Sequence, residues 1–146
     1  MVLGIDISTS ITGFAVLDKD GELVYSDSID LRKRKGIFSK TEQIKEKILD
    51  IFEEFVVDNY KEDIIDHIYI EQSLHMFMRG KSSAKTLSTL TRFNGIVSWL
   101  VYELFEIEPE YIGATSARKH AGIRVPRGQK AKQVVMKFLL DNEPKF

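Results

Sequence analysis

Short runs that alternate apolar and polar residues open the chain and predict a three-stranded antiparallel meander. Val2–Ile7 and Thr12–Leu17 favour β-structure and are joined by Ser8–Ser10. Asp18–Gly21 is a turn signal before a third run, Glu22–Ile29. The predicted loop that follows carries four consecutive basic residues, from Arg32 to Lys35.

Helical periodicity replaces this alternation after the loop. Ser39 and Glu42 fit a capping box. Apolar residues then recur at helical spacing over about five turns: Ile44, Ile48, Ile51, Phe52 and Phe55. A polar segment then leads to the apolar run His67–Glu71. This run predicts a buried fourth strand parallel to the first.

The longest predicted helix, from about Ser82 to Phe105, has two apolar faces. One is the stripe Leu87, Leu90, Val97, Val101 and Leu104, which can cover the sheet. The other consists of Phe93, Ile96, Trp99 and Leu100. This second face predicts a homodimer interface across a two-fold axis, and the alternative is a core helix that is enclosed on all sides.

The C-terminal part predicts a fifth strand, Glu110–Ala114, and a short helical turn capped by Thr115 or Ser116. A basic loop, Gly122–Gly128, precedes a final helix from about Gln129 to Leu140. The whole chain, 1–146, is therefore expected to form one α/β domain with the order βββαβαβα.

Composition limits the kinds of functional site that the chain can contain. The chain has 146 residues, 43% of them apolar, and no cysteine, which excludes disulfides, zinc–thiolate sites and a cysteine nucleophile. No apolar run approaches the roughly 18 residues of a membrane span, and the N-terminus is unlike a signal peptide. We expect a cytoplasmic protein, in the host cytoplasm or nucleoid if the source is viral.

Acidic and basic residues are segregated along the chain. The segments 72–102 and 113–140 contain no Asp or Glu. They carry the basic residues Arg79, Lys81, Lys85, Arg92, Arg118, Lys119, Arg124, Arg127, Lys130, Lys132 and Lys137. If the two segments share a face, that face suits a polyanion; the alternative is that these side chains only solvate helices.

Two predicted strands end on a carboxylate, Asp6 on the first and Glu71 on the fourth. A carboxylate at the tip of a buried strand is costly unless it is neutralised, and a shared divalent cation does this. The pair therefore predicts a Mg²⁺ or Mn²⁺ site; the alternative is two solvated strand ends.

Two motifs carry a family resemblance. Gly4–Asp6 followed by Ser8–Val16, with Thr12-Gly13-Phe14 inside it, and Ile70-Glu71-Gln72 resemble the RuvC-like Holliday junction resolvases of the ribonuclease H-like superfamily. The resemblance implies a mixed five-stranded sheet flanked by helices. It also implies a homodimeric, metal-dependent endonuclease that cuts four-way DNA junctions symmetrically.

The resemblance assigns roles to individual residues. Asp6 and Glu71 would bind Mg²⁺ or Mn²⁺, and Lys130 matches a basic position near the scissile phosphate. Phe77 would wedge against bases at the junction, with Leu74 or His75 as alternatives. The basic residues expected to bind DNA are Arg79, Lys81, Lys85, Arg118, Lys119, Arg124, Arg127 and Lys130.

The chain departs from the family in its acids. Family members carry two further acids on an additional C-terminal helix, and Asp141 and Glu143 follow the last predicted helix too closely to match them. We expect either a truncated form of a longer enzyme or a short relative that binds without cutting, with weak or absent cleavage by this chain. A ribonuclease H-like phosphotransferase fragment is a third possibility, which nucleotide binding would reveal.

Overall fold

The N-terminal meander forms as predicted. The computed structural model of the chain describes residues 1–58, 63–72 and 84–146. Strand β1 is Val2–Asp6, β2 is Ile11–Leu17 and β3 is Leu23–Asp30. Strand β2 is antiparallel to both neighbours, and the predicted bounds differ from the observed ones by one residue.

Two parallel strands complete the sheet. Strand β4, His67–Glu71, is parallel to β1, and β5, Glu110–Ile112, is parallel to β4. The order across the sheet is β3-β2-β1-β4-β5. This mixed five-stranded sheet with helices confirms the predicted fold class. The fifth strand is shorter than predicted, because a helix already begins at Ala114.

The described residues form four α-helices beside the sheet. They are α1 (Ile37–Phe52, continued by a π-helical turn over Glu53–Val57), α2 (Ala84–Phe105), α3 (Ala114–His120) and α4 (Ala131–Asn142). None of the helices in the described ranges is long and apolar enough to cross a membrane.

Both predicted side-chain caps are wrong. Helix α1 starts two residues before Ser39, directly after Gly36, whose φ of 81° allows the sharp entry that other residues resist. Ser39 and Glu42 therefore lie inside the helix. Helix α3 likewise follows Gly113 without a side-chain cap.

The core lies on one face of the sheet, between the strands and the α1–α2 pair. Leu3 and Ile5 of β1 face this core, as do Ile68 and Ile70 of β4. The helices contribute the buried side chains Ile44, Ile48, Ile51, Phe93, Val97, Val101 and Phe105. This single apolar cluster is the main source of stability expected for the domain.

The two faces predicted for α2 need correction at Phe93. Phe93 is fully buried in the core, so it cannot belong to an exposed interface between two copies. It lies on the helix face that also carries Val97 and Val101, four and eight residues further on. Trp99 is 62% exposed and contacts Tyr102, with ring centroids 5.6 Å apart.

Candidate active site at the edge of the sheet

Asp6 and Glu71 lie side by side, as predicted. They end the adjacent parallel strands β1 and β4, whose register pairs Ile5 with Ile70 immediately before them. Because side chains alternate between the two faces of a strand, both acids lie on the face opposite Ile5 and Ile70. The sheet therefore presents two neighbouring carboxylates at the edge where its parallel strands end.

The environment of these acids disfavours their charged forms. Burial is the main cause that raises the pKa of Asp6, although its side chain keeps access to solvent. Burial also raises the pKa of Glu71, and the negative charge of Asp6 raises it further. Two neighbouring acids with raised pKa values form a site that a cation would stabilise.

Two basic side chains oppose these shifts. The positive charge of Lys132 on α4 lowers the pKa of Asp6, and that of Arg118 on α3 lowers the pKa of Glu71. Both cations therefore lie within electrostatic reach of the acid pair. Their effect is smaller than that of burial, so both carboxyl pKa values remain above their ordinary range.

The segment after β5 positions Arg118 near Glu71. The backbone N–H of Gln72, just after Glu71, donates to the carbonyl of Ile112 over 2.8 Å and ties the ends of β4 and β5 together. Helix α3 begins two residues later. The Arg118 guanidinium donates to Thr115 Oγ1 over 3.2 Å, which restrains the side chain on this short helix.

The turn after Asp6 is held by a buried threonine. Thr12 is fully buried, and its hydroxyl donates to the carbonyl of Ser8 over 2.9 Å. The same oxygen accepts from the backbone N–H of Ser8 at 3.2 Å. Lys40 of α1 also donates to the carbonyl of Thr9. The backbone beside Asp6 is thus fixed from two sides, which limits where its carboxylate can lie.

The donor chemistry of the pair fits a hard divalent cation. Carboxylate oxygens are the ligands that Mg²⁺ and Mn²⁺ prefer, and Mg²⁺ is commonly bound by one or two carboxylates with waters and substrate phosphates as the other ligands. In the described ranges no group of three or more Asp, Glu, His or Cys side chains could hold a metal. Asp6 and Glu71 would therefore supply two ligands and leave positions open for phosphate oxygens.

The other predicted site residues fall into three groups. Leu74, His75, Phe77, Arg79 and Lys81 lie outside the described residues. The exposed basic residues are Lys85, Lys119, Arg124, Arg127 and Lys130. Arg118 is half-buried and acts on the acid pair.

Sequence reasoning missed Lys132. It selected Lys130, which immediately precedes α4 and stays an untested prediction. The charge that acts on Asp6 comes from Lys132, two residues further on. The only available signal was its position in the acid-free segment 113–140, which Lys132 shares with six other basic residues.

Most of the chain matches one known protein family. Residues 1–135 match the model of the DUF3882 family, described as Lactococcus phage M3 protein. The chain belongs to the DUF3882 family. No curated protein sequence matches this family member.

Solved structures of RuvC share the fold of this DUF3882 member. One is Thermus thermophilus RuvC in complex with a Holliday junction substrate, with a TM-score of 0.62 and 12% identity over 81% of this chain and 67% of that one. Another is Thermus thermophilus RuvC, with a TM-score of 0.61 and 16% identity over 96% of this chain and 78% of that one. At these identities the likeness establishes the fold.

Proposed function

We propose that the chain is a metal-dependent endonuclease that resolves four-way or other branched DNA junctions by symmetric hydrolysis of phosphodiester bonds. The observation that carries the proposal is the pairing of Asp6 with Glu71 at the end of two parallel strands, within reach of Lys132 and Arg118. The fold shared with RuvC, including a structure of RuvC on a Holliday junction, supports the choice of substrate.

Asp6 and Glu71 would hold Mg²⁺ or Mn²⁺ and leave open positions for the phosphate and for water. Such an ion, when bound, lowers the pKa of water and stabilises charge on the phosphate and on the leaving oxygen. Lys132 and Arg118 favour the ionised, metal-binding forms of Asp6 and Glu71, because each lowers the pKa of one of them. Both cations are also suited to bind a phosphate oxygen beside the acids.

The DNA contacts would come from the basic residues on the side of α3 and α4. Lys119, Arg124, Arg127 and Lys130 are exposed and free to bind backbone phosphates. Lys85 at the start of α2 would add a contact. From the segment after β4, we propose Phe77 as the wedge at the branch point and Arg79 and Lys81 as phosphate ligands.

We also propose that the protein acts as a homodimer through the exposed side of α2, since symmetric cutting of a four-way junction needs two sites. Trp99 and Tyr102 are exposed on this side and contact each other. Ile96 and Leu100 are half-buried candidates beside them, and Leu100 also packs against the core. Light scattering should give twice the monomer mass for the natural protein and the monomer mass for Trp99→Ser. A natural protein that is monomeric at high micromolar concentration would remove this part of the proposal.

A second candidate is a relative that binds junctions without cutting them. It is favoured by the size of the acidic site, because no third Asp, Glu, His or Cys side chain joins Asp6 and Glu71 in the described part of the chain. A site with two acids binds divalent cations more weakly than one with four, which would impair chemistry that needs two metal ions.

Binding and cleavage of a four-way DNA junction, compared with a linear duplex of the same sequence, separate these candidates. Each reaction contains Mg²⁺, Mn²⁺ or chelator, and compares the natural protein with Asp6→Asn. The control Asp20→Asn makes the same chemical change at an exposed turn at the opposite end of β2.

If the chain is an endonuclease, it should nick the junction selectively and only with metal, and Asp20→Asn should nick at the natural rate. The nicking rate of Asp6→Asn should fall about a hundred-fold or more, which corresponds to a loss of ~3 kcal/mol of transition-state stabilisation. Junction binding without nicking would establish the second candidate instead. Equal binding to junction and duplex would contradict both.

A further inference from the structure

A second basic segment lies outside α3 and α4. Arg32, Lys33, Arg34 and Lys35 form the loop between β3 and α1, and all are exposed. Arg32 pairs with Asp30, its Nε donating over 2.9 Å, and Arg34 Nε donates to Gln43 over 3.2 Å. Within the described ranges the side chains of Lys33 and Lys35 form no hydrogen bond or ion pair, although the charge of Lys33 acts on Asp30 from a distance. At least two positive charges are therefore available to a partner.

The sheet places this loop at the same edge as the carboxylate pair. Strand β3 is antiparallel to β2, which is antiparallel to β1, so β1 and β3 end at the same edge. Asp30, the last residue of β3, pairs with Ile11, the first residue of β2. The backbone N–H of Leu31 then donates to the carbonyl of Ser10 over 2.8 Å, in the turn that follows Asp6.

The loop is anchored at both ends. Leu31 is fully buried in the core, and the N–H of Arg34 donates to its carbonyl over 3.0 Å, closing a turn. Gly36 leads directly into α1, whose Lys40 donates to the carbonyl of Thr9. The basic side chains thus project from a short, fixed loop, which reduces the entropy that binding must overcome.

The strand order places the acids between two basic regions. Strands β1 and β4 carry Asp6 and Glu71, the basic loop lies beyond β2 on one side, and Arg118 follows β5 on the other. With neighbouring strands about 4.8 Å apart, β3 and β5 are separated by about 19 Å. This exceeds the ~12 Å width of the B-DNA major groove, so the two regions would contact phosphates that lie well apart.

We propose that the loop Arg32–Lys35 binds DNA backbone phosphates on the β3 side of the acid pair, opposite the α3–α4 side. This inference rests on the proposed function, since it assumes that DNA crosses the edge where Asp6 and Glu71 lie. Lys33 and Lys35 supply charge for phosphate contacts, which position the DNA without reading its sequence. DNA held from both sides would place a scissile phosphate over the acids.

The test compares two double variants that remove the same charge. Lys33→Ala with Lys35→Ala changes the loop, and Lys19→Ala with Lys45→Ala changes exposed lysines at the opposite edge and along α1. Affinity for a four-way DNA junction is measured against salt concentration, in chelator, so that no cleavage occurs. Thermal unfolding of both variants checks that they fold.

Loss of two phosphate contacts should reduce the slope of log affinity against log salt by about 1.8, since each contact contributes ~0.9 for duplex arms. Affinity at about 0.1 M salt should fall roughly tenfold or more for the loop variant. The Lys19 and Lys45 variant should match the natural protein in both quantities.

The outcomes separate this inference from the proposed nuclease. If the natural protein cuts junctions with metal but both double variants bind alike, the loop inference is wrong and the nuclease proposal survives. If the loop variant alone loses affinity although the natural protein never cuts, the inference holds and the nuclease proposal fails. No junction binding by the natural protein overturns both.

Discussion

The two faces of the sheet are built from alternating residues of the same strands, and they differ in nearly every physical respect. On the α1–α2 face, Ile5 and Ile70 are buried in one apolar cluster with both helices. On the opposite face, Asp6 and Glu71 have raised pKa values, and α3 and α4 contribute no fully buried residue. Stability is thus concentrated on one face and candidate chemistry on the other.

This separation means that neighbouring residues can be changed with opposite consequences. A residue on the core face contributes apolar burial, which favours folding. A buried carboxylate without a partner disfavours folding, and proteins keep such groups mainly at functional sites. Substitutions on the two faces should therefore change the free energy of unfolding in opposite directions.

Ile70 and Glu71 are consecutive residues on opposite faces. Ile70→Ala should cost about 2–5 kcal/mol of unfolding free energy, since it opens a cavity in the core. The corresponding fall in Tm is roughly 5–15 °C. Glu71→Gln should leave Tm unchanged or slightly higher, because it removes a charge that burial and Asp6 disfavour. Thermal unfolding checks both; equal destabilisation by the two variants would refute the division between faces.

Lys130 immediately precedes α4 and Lys132 lies in its first turn, and only Lys132 lowers the pKa of Asp6. Lys132→Ala should raise the pKa of Asp6 further, because it removes the positive charge that lowers it. Nuclear magnetic resonance titration of the Asp6 carboxyl carbon measures this directly and needs no cleavage. Lys130→Ala is the matched control and should leave the titration nearly unchanged. A larger shift from Lys130→Ala would reverse the assignment.

The smallest predicted effect is a pH dependence of stability. An acid whose pKa is raised in the folded state binds its proton more tightly when the protein is folded. Stability therefore falls as the pH rises from the unfolded-state pKa through the folded-state pKa. The combined variant Asp6→Asn with Glu71→Gln lacks this loss. Its Tm advantage over the natural protein should vanish below about pH 4 and grow toward neutral pH. An advantage that is constant with pH would contradict the raised pKa values.

Much of this organisation could be predicted from sequence, because it depends on local periodicity. Alternation along Val2–Leu17 and the apolar residues of β4 gave the strands, and the parallel pairing of β1 with β4 then placed Asp6 beside Glu71. The cap at Ser39 failed because Gly36 starts the helix earlier, with a positive φ that a polar motif does not reveal.

Two further wrong or missed assignments have different causes. Phe93 is predicted on the second apolar face of α2, although its spacing of four and eight residues from Val97 and Val101 already places it on the face that covers the sheet. Lys132 was missed because its approach to Asp6 depends on how α4 lies relative to β1, which no local pattern encodes.

If Asp6 and Glu71 form a divalent-metal site, bound metal should stabilise the folded protein, and thermal unfolding measures this. Tm is measured for the natural protein, Asp6→Asn and the control Asp20→Asn, each in chelator, Mg²⁺ and Mn²⁺. Metal at about 100 times its Kd should stabilise a protein with an intact site by ~2.7 kcal/mol, which raises Tm by several degrees. We predict this rise for the natural protein and Asp20→Asn, with no rise for Asp6→Asn, whose Tm in chelator is equal or higher. Equal responses from all three proteins would contradict a metal site at Asp6 and Glu71.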